Sequence, residues 1–124
     1  METFEEIYTQ LRGILKPLEG PLRAEYDTAE GYSLNTPYSP HWQKELFFGA
    51  ANIKKNYVSF YLMPVYMYPD LLDGISPALK TRMQGKSCFN FKKLNPALRD
   101  ELAELARRGL ERILKEEFGR AMEG

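Results

Sequence analysis

An α+β domain built on an antiparallel sheet is the architecture this sequence predicts, and three observations predict it. Apolar residues recur with a period of 3.6 near both ends of the chain, and with a period of two between residues 22 and 62. A short strand pattern at 87–92 is then handed directly to the C-terminal helical run. Helices at the two ends with strands between them resolve into a sheet whose N-terminal and long C-terminal helices pack on one face.

Phe4, Ile7, Leu11, Ile14, Leu15 and Leu18 place one apolar stripe on the first helix. Thr3 and Glu6 stand in the capping-box relationship at its start, and Pro17, Gly20 and Pro21 end it near Lys16. Residues 22–27 and 32–35, on either side of Gly31, read as a first hairpin. The segment 35–42 reads as a loop or strand edge, because neither Pro37 nor Pro40 can donate to a ladder. Residues 45–53 and 57–62 form a better hairpin through Lys54-Lys55-Asn56, with Val58, Phe60 and Leu62 on one face and Tyr57, Ser59 and Tyr61 on the other. Gly49, Ala50 and Ala51 thin the middle of its first strand, leaving room either for a closely packed helix or for a ligand.

Met63-Pro64 closes that hairpin, and Ser76-Pro77 opens a short helix of about two turns over 77–83, stopped by Gly85. In the last strand, 87–92, Phe89 and Phe91 oppose Cys88 and Asn90. Asn95-Pro96 opens the longest helix, lined inside by Leu98, Leu102, Leu105, Gly109, Leu110, Ile113, Leu114 and Phe118. Glu104 with Arg108, Glu111 with Lys115 and Glu116 with Arg120 form i, i+4 pairs outside, each worth about 0.2–0.5 kcal/mol. The apolar stripe, not the charges, holds this helix on the sheet.

The chain of 124 residues has room for one domain, 1–124. Its 17 Lys+Arg balance 17 Asp+Glu, so no net field draws in nucleic acid or an anionic membrane. Cys88 is the single cysteine, which excludes an intramolecular disulfide, and the opening Met1-Glu2-Thr3-Phe4-Glu5-Glu6 is acidic where a secretory signal is basic. No apolar run reaches the roughly 20 residues of a membrane span. A cytoplasmic protein without nucleic-acid or membrane partners is expected.

The runs 51–61 (ANIKKNYVSFY) and 85–92 (GKSCFNFK), followed by a charged C-terminal helix, resemble the YdhG-like small α+β domains over most of the chain. What the resemblance implies is an antiparallel sheet flanked by helices, in a cytoplasmic family largely without assigned activity. One branch of that family is described as frataxin-like intracellular iron chaperones, which brings in iron binding as an alternative. The acids nearest to such a role are Glu2, Glu5 and Glu6 on the first helix and Asp70 and Asp73 near a turn, and neither group has the spacing of a ligand motif.

Gly85-Lys86-Ser87 copies the tail of a phosphate-binding P-loop, but Lys80 stands where the first glycine belongs and a strand follows in place of a helix. His41, alone in a proline-rich loop, lacks the partners of a metal site or a general base. Cys88 is read either as a thiol activated by Lys86 or Lys92 or as a buried inert one. Lys80, Arg82, Lys86, Lys92 and Lys93 form the densest positive group around the last strand: an anion site for a carboxylate or phosphate, or solvated loop charges. Trp42, Tyr57 and Tyr61 are read as pocket lining or as core. No base, nucleophile and orienting group occur together, and no catalytic residue or cofactor is assigned. The leading expectation is a non-catalytic module binding a small apolar or anionic ligand on the open sheet face, through Trp42, Tyr57, Tyr61 and Asn90 with Lys86 or Lys92 as counter-ion. An interaction or homodimerisation domain using the same aromatic surface is the alternative.

Overall fold

The computed structural model describes residues 2–119. Thr3 caps the first helix, α1 (Phe4–Leu15): its hydroxyl accepts from the Glu6 amide at 3.0 Å, and the Glu6 carboxylate accepts from the Thr3 amide at 2.9 Å. A 3-10 turn over Lys16–Leu18 carries Pro17 and ends the helix. Five strands follow: β1 (Arg23–Asp27), β2 (Gly31–Ser39), β3 (Lys44–Ile53), β4 (Val58–Leu62) and β5 (Cys88–Phe91), antiparallel and paired in chain order. Between β4 and β5 lie α2 (Met63–Met67), a 3-10 turn at Pro69–Leu72 and α3 (Pro77–Lys80); α4 (Pro96–Phe118) comes last.

The register sorts side chains onto two faces. Tyr32, Leu34, Gly49, Ala51, Phe60, Leu62, Phe89 and Phe91 share the inner face, and Ser33, Ala50, Asn52, Ser59, Tyr61, Cys88 and Asn90 the outer one. α1 lies against β3 and β4, and α4 packs against α1 and α2, so the helices gather on one side of the sheet as predicted. Ile7, Leu11, Leu15, Leu102, Leu105 and Ile113 are fully buried with Phe60, Phe89 and Phe91. Each such burial stabilises by about 1.5–3 kcal/mol, several times what an exposed ion pair contributes.

Two glycines permit the close contact. A Cβ at Gly49 would lie 2.9 Å from the Tyr61 carbonyl oxygen and 3.4 Å from Leu15 Cδ2, so the thin middle of β3 serves the approach of α1. At Gly109 of α4 a Cβ would lie 3.1 Å from Pro64 Cβ. Both sheet edges are also finished. The exposed edge β1 carries Arg23, Glu25 and Asp27, with Arg23 paired to Glu45 at 2.6 Å, while Met83 bridges Phe89 along the outer side of β5.

The structure corrects the sequence reading of three segments. The segment 35–42 is not simply a loop: β2 continues through Pro37 to Ser39. β1 pairs no further than Asn35 and the β2–β3 register shifts between Asn35 and Tyr38, so Pro37 sits where a ladder amide is not required. A second shift, between Leu34 and Asn35, leaves Phe48 as the extra residue on β3 and turns it into the core, fully buried. Met63-Pro64 opens α2 instead of merely ending β4, because a proline in a first helical turn has no carbonyl to serve. The helix expected over 77–83 stops at Lys80, since the Arg82 carbonyl accepts the Asn90 amide at 2.8 Å and draws residues 82–83 toward β5.

The outer charges of α4 pair differently as well. Arg107 serves both Glu104, at 2.6 Å, and Glu111, at 3.5 Å, while Arg108 reaches the Leu71 carbonyl and Glu116 meets Arg112 at 3.8 Å. The expected Glu116–Arg120 pair lies outside the described residues.

Gly13, inside α1, has nothing within 4 Å of where a Cβ would stand. Gly13→Ala is therefore expected to stabilise the fold by about 0.5–1 kcal/mol through helix propensity. Gly49→Ala is expected to cost about 1–3 kcal/mol, because the β4 backbone must shift. Parallel urea melts read both, and a Gly49→Ala protein as stable as the parent would refute the close-approach account.

Candidate functional site

The outer sheet face gathers some of the predicted site residues. Tyr61 stands between Ala50 on β3 and Cys88 on β5, with Asn90 opposite Ser59, and alternation sets Tyr57 on the same side. Asn90 Oδ1 accepts from the Ser59 hydroxyl at 2.7 Å and the Cys88 thiol at 3.3 Å. The Tyr26 hydroxyl donates to Asn52 Oδ1 at 3.0 Å farther across, and Ser33, Ala50 and Ser59 are buried between. The result is a floor of small side chains on which Ser59 and Cys88 are bonded to Asn90, and Tyr26 to Asn52. Burial pushes the Cys88 thiol above its ordinary value, against smaller lowering effects of Ser59, Tyr61 and Lys54, so this setting disfavours the thiolate.

The other predicted residues lie elsewhere. Trp42 belongs to the β2–β3 turn; β3 carries the sheet about 20 Å from Lys44 to Ala50, at its ordinary rise per residue, before Tyr61 is reached. Trp42 is 47% exposed, and its indole N–H turns to α4, donating to Glu117 Oε1 at 2.8 Å. Lys86, ahead of β5, stands 5.9 Å from the Tyr66 ring centroid, and Lys92 lies past the other end of that strand. The six named residues therefore do not form one site.

A cavity of about 630 Å³ does collect several functional groups, where the start of α1, the residues after α3 and the β5–α4 connection meet. Phe4, Leu94 and Leu98 supply apolar walls, and Arg82, Lys92 and Lys93 supply three cations. Among the described residues none of these cations forms an ion pair, and buried Arg82 Nε has no hydrogen-bond partner. Glu2 also lines the cavity, but its oxygens are engaged: Oε1 accepts from the Leu94 amide at 2.9 Å and Oε2 from the Gln10 side chain at 2.7 Å. Asn95 caps α4 by accepting from the Leu98 amide at 2.8 Å. The first turn of α4 has no acidic residue of its own, and the Glu2 carboxylate stands at this helix start through its bond from the Leu94 amide.

The groove of about 450 Å³ between α1 and α4 differs in this respect. It also has two arginines, Arg99 and Arg107, but they are paired with Asp100 and Glu104. The sequence reading named Arg82, Lys92 and Lys93 by their density and missed the apolar walls. Phe4 and Leu98 are the end residues of two helical stripes, and that position, beyond the contact between the helices, is the signal that marks them.

No protein-family model, curated protein or solved structure matches the chain. Among the described residues no three His, Cys, Asp or Glu side chains are grouped to hold a metal ion, and no helix is long and apolar enough to cross a membrane.

Glu117 ties α4 to the rest of the fold. Its Oε2 accepts from the Tyr68 hydroxyl at 2.6 Å, and this bond, then the one from Trp42, holds its carboxyl below the ordinary 4.5 against the effect of burial. A carboxyl depressed on folding contributes stability above its unfolded value and loses it as pH falls through the folded one. Glu117→Gln is thus expected to lower the urea midpoint near neutral pH, and the gap to the parent protein should narrow below about pH 4.5. A gap that stays constant from neutral to acid pH contradicts this assignment.

Proposed function

We propose that this protein is a non-catalytic binding module that holds a small apolar or anionic ligand in the cavity between α1, β5 and α4. The observation that carries the reading is a concavity of about 630 Å³ in which apolar walls from Phe4, Leu94 and Leu98 converge with Arg82 and Lys92. Small-molecule sites have this size and this mixture of apolar lining with a few charged groups. Lys92 is the residue shared with the sequence expectation, and Asn90 takes part through its backbone, which holds the Arg82 carbonyl.

A cytoplasmic setting and membership of the YdhG-like family belong to the same proposal. The first is supported by a single cysteine, and the second by the runs at 51–61 and 85–92 with their helix, sheet, helix order. A second reading, an interaction or homodimerisation surface, is favoured by the exposure of Tyr26, Tyr38, Trp42 and Tyr66. The iron-chaperone alternative has no comparable support, as the described carboxylates are not grouped.

Anilinonaphthalene sulfonate, an aryl anion, is a suitable probe for the cavity. Titrated into ¹⁵N-labelled protein, it is expected to give saturable amide shifts centred on Phe4, Leu94 and Leu98. Shifts confined to the outer sheet face would move the site there, and no saturable shift would remove the reading.

A further inference from the structure

We infer that the ligand of this cavity carries one compact anionic head, a carboxylate or a phosphate monoester, on a short apolar tail, and that Arg82 is the residue that grips the head. The inference rests on the binding-module reading and names the ligand class.

The state of Arg82 is the first argument. Arg12, Arg23, Arg107 and Arg112 each have a carboxylate within 2.8 Å. Arg82 has none among the described residues, and its Nε is buried without a partner. With no carboxylate partner among the described residues, the terminal N–H groups of Arg82, which lines the cavity, remain for an incoming anion. The fork of a guanidinium donates two parallel hydrogen bonds to a carboxylate or to a phosphate alike, which is why the two heads share one site chemistry.

Arg82 is also held in place. Its carbonyl accepts the Asn90 amide at 2.8 Å, and the next residue, Met83, bridges Phe89, so the side chain projects from a segment fastened to the sheet. Lys92 and Lys93 add charge from just beyond the end of β5. Glu2, the carboxylate in the lining, is bound to Leu94 and Gln10 and leaves the cations unneutralised by contact.

The walls decide the rest of the ligand. A bare inorganic anion would leave the half-buried ring of Phe4 facing water, and a neutral hydrocarbon would leave Arg82, Lys92 and Lys93 without a counter-ion. A molecule with both parts satisfies both surfaces.

Calorimetry with octanoate, octyl phosphate, 1-octanol and inorganic phosphate tests the inference on the full chain. One of the two anionic amphiphiles is expected to bind at least about tenfold tighter than octanol and than inorganic phosphate, and their ranking identifies the head. Arg82→Gln should weaken that binding about tenfold and leave octanol unchanged. If circular dichroism shows Arg82→Gln to be unfolded, the exposed double variant Lys92→Gln with Lys93→Gln takes its place, with an expected loss of about threefold or more. Octanol binding as tightly as octanoate and octyl phosphate, or anion binding indifferent to the variant that folds, overturns the inference while the binding-module reading stands. Failure of all four probes, with no anilinonaphthalene sulfonate response, removes both.

Discussion

The contact of α1 with the middle of β3 is the constraint on which the rest of this structure depends. Gly49 leaves no side chain between the sheet and Leu15, so α1 settles directly onto the inner face. Gly109 does the same for α4 against Pro64. With both helices drawn to one side, the beginning of α1 and the beginning of α4 meet beyond the end of β5, and the space left there is the cavity. A bulkier residue at either glycine would tilt a helix and reshape that opening without touching its walls.

Charge is distributed by a different rule. Exposed pairs such as Arg107 with Glu104 and Arg112 with Asp70 are solvated and contribute little to stability. Their main effect is to neutralise most of the arginines locally. Against that background the cavity gathers three cations without an ion-pair partner among the described residues, although the chain as a whole is balanced at 17 positive and 17 negative residues. A neutral total is therefore compatible with a local positive field, and the overall count hides it.

Much of the fold was legible in the sequence because the interactions that specify it are short in range. Thr3, Ser76 and Asn95 each cap a helix through a residue three positions away, and the strand alternation from Val58 to Leu62 needs no tertiary information. Pro37 inside β2 and Phe48 turned into the core were not legible, since both depend on register shifts set by neighbouring strands. The site was legible in half. Arg82, Lys92 and Lys93 are close in sequence and could be grouped by density, whereas Phe4 comes from the other end of the chain and joins them only after α1 has packed. Trp42 failed as a partner of Tyr61 for the same reason in reverse: its indole N–H donates to Glu117, a residue of α4 distant in sequence.

The treatment of the two outermost strands has a consequence for behaviour in a crowded solution. β1 carries the charged residues Arg23, Glu25 and Asp27, and the free side of β5 is partly covered by the bridge at Met83. Neither border offers a clean row of backbone donors and acceptors to a stranger, so runaway stacking into fibrils is blocked at both ends.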